Sequence, residues 1–198
     1  MPVGEGAYIT TNLEIPPVIL ERTGLVATVT LNRPGNGNRI DAEVAAGIRE
    51  ACRLIAEDDG LRLVVLTASG AVFSVDDGWE TAGDEENETA GRPAGVSDAH
   101  GIPGEPAAAL VAGLAIPVLV ALNGDATGPG LELALAGDLR ICVPCARFGF
   151  TGLARGVLPQ DGGTQRLPRL VGLAWGRDML LTGRMVDAKE ALAIGLVN

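Results

Sequence analysis

Basic, aromatic and histidine residues are all scarce in this 198-residue chain, and each shortage excludes something. Lys and Arg number 15 against 25 Asp and Glu, for a formal net charge of -10 and a pI of about 4.5. An acidic chain gains nothing from counterion release on DNA or RNA, so no nucleic-acid partner is expected. Aromatic residues make up only 3%, so the core has to be built from Ala, Val, Leu and Ile. The single histidine, His100, sits in a loop-like region, and neither Ser69 nor Ser74 stands in a G-x-S-x-G setting, which argues against a Ser-His-Asp triad. The three cysteines, Cys52, Cys142 and Cys145, are odd in number and point to a reduced, cytoplasmic setting. "CVPC" lacks two further zinc ligands and follows a strand instead of opening a helix, so it reads as small residues at a strand end. No metal site is expected. No apolar run reaches the roughly 18 residues of a membrane span without polar interruption. The best stretch, "AAALVAGLAIPVLVAL", is broken by Pro117. No basic region followed by an apolar run opens the chain, so no signal peptide is expected.

The residues that are present divide the chain by texture. Residues 1–16 read as a flexible leader and 17–198 as one domain, long enough to bury a core. Residues 17–31 give two β-rich runs about "RTG", a hairpin. Residues 41–60 form an amphipathic helix: Val44, Ile48, Cys52 and Ile55 recur at helical spacing, Asp41 caps it and Gly60 stops it. Residues 61–68 read as a buried strand. Residues 76–106, dense in Gly, Asp, Glu, Asn and Pro, read as a mobile loop, with a helix starting near Glu105. "IPVLVAL", "GLELALAG" and "LRICV" follow as strand, helix and strand, and three short helices run from Gly162 onward. Strands alternating with helices argue an α/β fold with active-site loops at strand ends.

Two junctions stand out. "TASGAVFSVDDGWE" (67–80) is a strand running into a small-residue turn and then acidic residues. "IPVLVALNGDATGPGLELALAGDLRI" (116–141) is a strand running into a small-residue loop and a helix that carries one carboxylate, Glu132. It contains no phosphate-binding G-x-x-x-x-G-K-[ST], and Leu133 stands where a dinucleotide fingerprint needs its third glycine. Backbone N–H groups from two such junctions can converge on one carbonyl oxygen and stabilise an enolate or tetrahedral oxyanion.

These segments, with "VATVTLNRPGNGNRID", "ARFGFTGLARGVLPQDGGTQRLPRLVG" and "LLTGRMVDAKEALAIGLVN", stand in the order of the crotonase superfamily, which the chain resembles from residue 17 to the end. The resemblance implies a spiral of ββα units and an enoyl-CoA hydratase/isomerase-like enzyme acting on acyl-CoA thioesters. Coenzyme A would enter as part of the substrate, with no separate cofactor. It also implies a homo-oligomer built on trimers. Members of the superfamily usually continue into further helices that cover the site, so the domain is expected to lack that extension and to expose apolar surface near 175–198.

The resemblance assigns roles residue by residue. Glu132 matches a proton-transferring glutamate. The Asp77 amide takes the position of the first oxyanion donor, with Val75 and Asp76 beside the bound thioester; Asp76 stands where the pattern has glycine. The second donor position is Pro129, which has no N–H, so the site is either one donor short or uses Gly130. The second glutamate position holds Gly152. Asp161 reads first as the N-cap of the following helix and is also the residue at hand to replace that carboxylate. Glu132 has a structural alternative, an ion pair with Arg140 or Arg166. Arg33 and Arg39 fit CoA phosphates by charge, or a solvated surface; Phe73 and Trp79 fit an acyl pocket, or ordinary packing. The departures at 129 and 152 keep open other chemistry of the superfamily (decarboxylation, thioester hydrolysis or ring scission) and a catalytically weak binding or assembly subunit.

Overall fold

The computed structural model describes residues 15–76 and 106–198. The leader expected over 1–16 and the loop expected over 76–106 therefore lie outside the described residues, apart from Ile15, Pro16, Asp76 and Pro106.

Strict alternation of buried and partly buried residues builds the main sheet. In β2 (Val26–Leu31), Ala27, Val29 and Leu31 face inward. In β3 (Leu63–Ala68) Val64, Leu66 and Ala68 do so, and in β4 (Val118–Leu122) Val118, Val120 and Leu122. A period of two puts each set on one face of the pleat. The expected hairpin joins β1 (Val18–Thr23) antiparallel to β2 through a turn at Gly24–Leu25, where Gly24 supplies a φ of 59°. From β2 onward the pairing is parallel, through β3 and β4 to β6 (Leu139–Cys142), giving the order β1-β2-β3-β4-β6.

Parallel neighbours need crossovers, and a helix lies in each of them. Helix α1 (Ala42–Ala56) packs Val44, Ile48, Cys52 and Ile55 into the core. Asp41 caps it, accepting from the N–H groups of Glu43 and Val44, as its sequence implies. The helix stops at Ala56, before Gly60, because Asp58 and Gly60 already form a turn closed onto the Asp58 carboxylate. Helix α2 (Ala107–Ala112) leads into β4.

A second sheet was not legible in the sequence. It consists of β5 (Ala126–Thr127), β7 (Arg147–Gly149) and β8 (Val186–Asp187), in the order β5-β7-β8. Strands of two or three residues are too short to display an alternation. The Asp125 carboxylate ties the first two together, accepting from the Arg147 amide at 2.8 Å and from its guanidinium at 2.7 Å. β5 runs directly into α3 (Gly128–Ala134) and so aims that helix.

The C-terminal helices are α4 (Gly163–Thr182) and α5 (Ala188–Ala193). Gly172, at φ 82° and ψ 160°, breaks α4 in two, so the expected trio of helical pieces is present. Leu173, Trp175, Leu181 and Leu192 are exposed along them. Among the described residues no helix is long and apolar enough to cross a membrane.

Candidate active site

The first junction is held from behind by asparagines. Asn38 Nδ2 donates to Ser69 O at 2.8 Å and to Val72 O at 3.1 Å. Asn123 Nδ2 donates to Gly70 O at 2.8 Å and to the same Val72 O at 3.2 Å. Asn38 is fully buried at a φ of 52°, a left-handed conformation that non-glycine residues rarely adopt and asparagine tolerates best. The turn after β3 is thus pinned, and the chain leaves it along β5: Phe73 N and Ser74 N donate to Asp125 O, and Thr127 N donates to Ser74 O at 2.9 Å. Neither asparagine stands out in the sequence, where each is one polar residue in a loop.

Segment 74–76 lies against the start of α3, and this explains the glycines around Pro129. A Cβ on Gly130 would stand 2.4 Å from Ser74 O and 2.6 Å from Ser74 Oγ. One on Gly128 would stand 2.8 Å from Asp76 Oδ2. A side chain at 130 would strike the backbone of this segment, and one at 128, a position already at a φ of 49°, would displace the Asp76 carboxylate. Pro129 between them is exposed, in the first turn of the helix, where a missing N–H breaks no intrahelical bond. Gly130→Ala is accordingly expected to cost about 1–3 kcal/mol of stability through overpacking. Urea unfolding checks this, and a midpoint unchanged from the parent would mean that α3 can move off the strand.

Glu132, in the second half of α3, is 3% exposed. Its Oε1 accepts from Asp161 N at 2.7 Å and Gly163 N at 2.8 Å, and its Oε2 accepts from Gln160 N at 3.2 Å. The ion pair with Arg140 or Arg166 offered by the sequence is not formed. Arg140 turns its guanidinium to Leu196 O and Gly137 O, and Arg166 turns to Asp161 O and Ala108 O. Burial raises the Glu132 pKa above the ordinary carboxylate range; the three N–H groups oppose that and the nearby Asp161 carboxylate adds to it. A carboxylate offers about four acceptor positions. With three taken, one remains on Oε2 among the described residues, available to a proton or a donor.

Asp161 departs from its expected role. The N-cap position of the following helix is Gly162, whose φ is 88° and which has no side chain to cap with, and the first N–H of α4 goes to Glu132. The Asp161 carboxylate instead caps α2, accepting from Ala108 N at 2.6 Å and Ala109 N at 3.2 Å. The reason is supply and demand: Pro106 at the start of α2 has no side-chain acceptor to give. Burial is the largest influence on the Asp161 carboxyl and raises its pKa.

The remaining assigned residues scatter. Gly152 lies buried in a 3-10 turn, Thr151–Arg155, and brings no carboxylate, but its neighbour Thr151 does reach the junction. Thr151 Oγ1 donates to Asp76 Oδ1 at 2.6 Å, as does Thr127 Oγ1 at 2.6 Å, while Asp76 N donates to Thr127 Oγ1 at 2.9 Å. Val75 is buried beside them, and Phe73 is fully buried in the core cluster. Arg33 pairs with Asp41 and Glu43 at the start of α1, and Arg39 is exposed. Asp77, Trp79 and His100 lie outside the described residues. Among the described residues no group of three or more His, Cys, Asp or Glu is placed to hold a metal ion.

Comparison with known proteins places this arrangement in a family. Residues 21–198 match the family model described as enoyl-CoA hydratase/isomerase. The chain is 37% identical over 186 residues to the short-chain-enoyl-CoA hydratase of Clostridium acetobutylicum, covering 94% of this chain and 69% of that one. It is 34% identical to the crotonyl-CoA hydratase of Syntrophomonas wolfei, over 91% of this chain and 67% of the relative. It is 36% identical to the carnitinyl-CoA dehydratase of Salmonella arizonae, over 90% and 66%. The chain thus spans about two thirds of the length of these relatives. Among solved structures, Pseudomonas aeruginosa DspI superposes with a TM-score of 0.75 at 33% identity, covering 95% of this chain and 69% of that one. An enoyl-CoA hydratase from Bacillus anthracis superposes with a TM-score of 0.72 at 30% identity, covering 91% and 68%. The fold is the crotonase-like α/β fold, and the chain belongs to the enoyl-CoA hydratase/isomerase family.

Proposed function

We propose that the protein is a lyase or isomerase of acyl-CoA thioesters in which Glu132 moves a proton at the carbons beside the thioester carbonyl. The observation that carries this reading is the state of the Glu132 carboxyl: buried, raised in pKa by that burial, oriented by three backbone N–H groups, and left with one open position on Oε2. A positioned carboxyl tuned toward neutral pH can act as an acid or a base. The names of the relatives supply the substrate class, since each acts on a CoA thioester. The backbone amide of Asp77 is assigned to the developing oxyanion, with Gly130 as the second donor or no second donor at all. Proton transfer by carboxylates calls for no cofactor beyond the CoA of the substrate. A reducing cytoplasmic setting is consistent with three free thiols, and a homo-oligomer with the exposed Leu173, Trp175 and Leu181. Sedimentation at several protein concentrations tests the latter; a monomer throughout would refute it.

The competing reading is a binding or assembly subunit. It is favoured by the same three bonds to Glu132, which also serve simply to fasten α4 to α3. A panel of CoA thioesters separates the two. Turnover of crotonyl-CoA, followed as loss of enoyl-thioester absorbance, is the expected result. Calorimetric binding without turnover of any thioester would favour the subunit, and neither binding nor turnover would sink both readings.

A further inference from the structure

We propose that Asp76 is a second proton-transfer carboxylate of this site, oriented by the hydroxyls of Thr127 and Thr151. The inference rests on the acyl-CoA reading above and deepens it. Asp76 is where three segments meet: the extended chain leaving the first junction, the end of β5, and the 3-10 turn that holds Gly152. Both hydroxyls donate to its Oδ1 at 2.6 Å, a length typical of charge-assisted bonds to a carboxylate. The Thr127 hydroxyl is itself fixed, because it accepts from Asp76 N. Oδ2 faces Gly128, at the start of the helix that carries Glu132. Glu132 stands four positions on from Gly128, the spacing of one helical turn.

A second observation points to the same corner. Ser74 is 1% exposed, and its Oγ has no hydrogen-bond partner among the described residues. It lies two residues before Asp76 and packs against Gly130 as Asp76 packs against Gly128. A buried hydroxyl left without a partner costs about 1–3 kcal/mol, and a polar ligand atom at the α3 junction would satisfy it.

The step balances with these groups alone. A water oxygen bonds to the β-carbon of an enoyl thioester, and the π pair moves onto the thioester as an enolate. Asp76 takes the proton that water gives up. The α-carbon of the enolate then takes a proton from the Glu132 carboxylic acid, which restores the thioester carbonyl. Solvent returns one proton to Glu132 and removes one from Asp76 between turnovers.

The test compares the parent with Asp76→Asn, Asp76→Gly and Thr151→Val, using crotonyl-CoA for hydration and butyryl-CoA in deuterated water for exchange at the α-carbon. Asn keeps an acceptor for both hydroxyls, so near-parental melting is the control for folding. Asp76→Asn is expected to lower kcat for hydration by about 100-fold, with KM within about threefold and α-carbon exchange by Glu132 retained. Thr151→Val is expected to lower kcat less, with KM within about threefold, because the Thr127 hydroxyl still holds Oδ1 of the carboxylate. Hydration within threefold of the parent in Asp76→Asn would overturn the proposal. A gain of turnover in Asp76→Gly would overturn it too, because the carboxylate would then be an obstruction. Parent protein that neither hydrates nor exchanges would overturn the acyl-CoA reading as well.

Discussion

Glutamine at position 132 is expected to abolish nearly all turnover of a CoA thioester, by about 10²–10⁴ in kcat. The fold should survive. Gln can keep its carbonyl oxygen on Asp161 N and Gly163 N, and only the longer contact to Gln160 N, at 3.2 Å, then meets an amide group that cannot accept. A modest cost follows from that one lost acceptor, about 1–3 kcal/mol. Glu132→Ala is a different matter, since all three N–H groups lose their acceptor and α4 loses its anchor. Turnover of the glutamine variant within about threefold of the parent would reduce Glu132 to a fastening between helices. The pH dependence of stability provides a second check. Burial raises the Glu132 pKa in the folded chain above its unfolded value, so the neutral side chain is the favoured folded form. Its contribution is fully present below the ordinary glutamate value of about 4.3 and is lost as pH rises through the raised folded value. The stability of the parent relative to Glu132→Gln should therefore be greatest in acid and decline upward, as read from chemical denaturation at several pH values. A parent advantage that grew with pH would mean that the three N–H groups outweigh burial.

Replacing Pro129 by glycine should raise kcat/KM for an acyl-CoA. Proline offers no N–H at the first turn of α3, and a glycine there restores one where the thioester oxygen is expected. A single oxyanion donor is associated with about 10²–10³ in rate, which sets the ceiling. The gain will be smaller, because glycine loosens a turn that proline stiffens, at a cost of about 0.4–1 kcal/mol in stability. The packing argument leaves room for this substitution: the exposed Pro129 ring is not part of the contact that Gly128 and Gly130 make with segment 74–76. A fall in kcat/KM would assign the oxyanion to the Gly130 amide and make proline the residue that orients it.

The two substitutions test different kinds of information. Helix α1 was legible because Val44, Ile48, Cys52 and Ile55 repeat at 3.6 residues and Asp41 reaches amides two and three residues on. Strands β2, β3 and β4 were legible because their inward residues alternate. Family membership was legible because five motifs keep their order along the chain, and the absence of an N–H at 129 and of a carboxylate at 152 is covalent fact. The helix and strand patterns are local, set within a few residues of themselves, and the motif order is written along the covalent chain.

What only the tertiary structure decided is which buried polar group meets which. Glu132 finds its donors 28 to 31 residues away, Asp161 caps a helix 52 and 53 residues earlier, and Asp76 meets Thr151 across 75. Asp161 followed by Gly162 at a helix start looks like a cap for that helix in any sequence. It caps another because α2 arrives there with unsatisfied amides and the Glu132 carboxylate has already taken the local one. The two glycines flanking Pro129 read as a loop whose N–H groups can face a ligand, and only the fold shows that their Cα atoms are also contact points for Ser74 and Asp76. Residue propensities act through neighbours in the chain, whereas a buried carboxylate must be satisfied by whichever donors packing brings within about 3 Å, and only the folded arrangement of β5, α3 and α4 determines which those are.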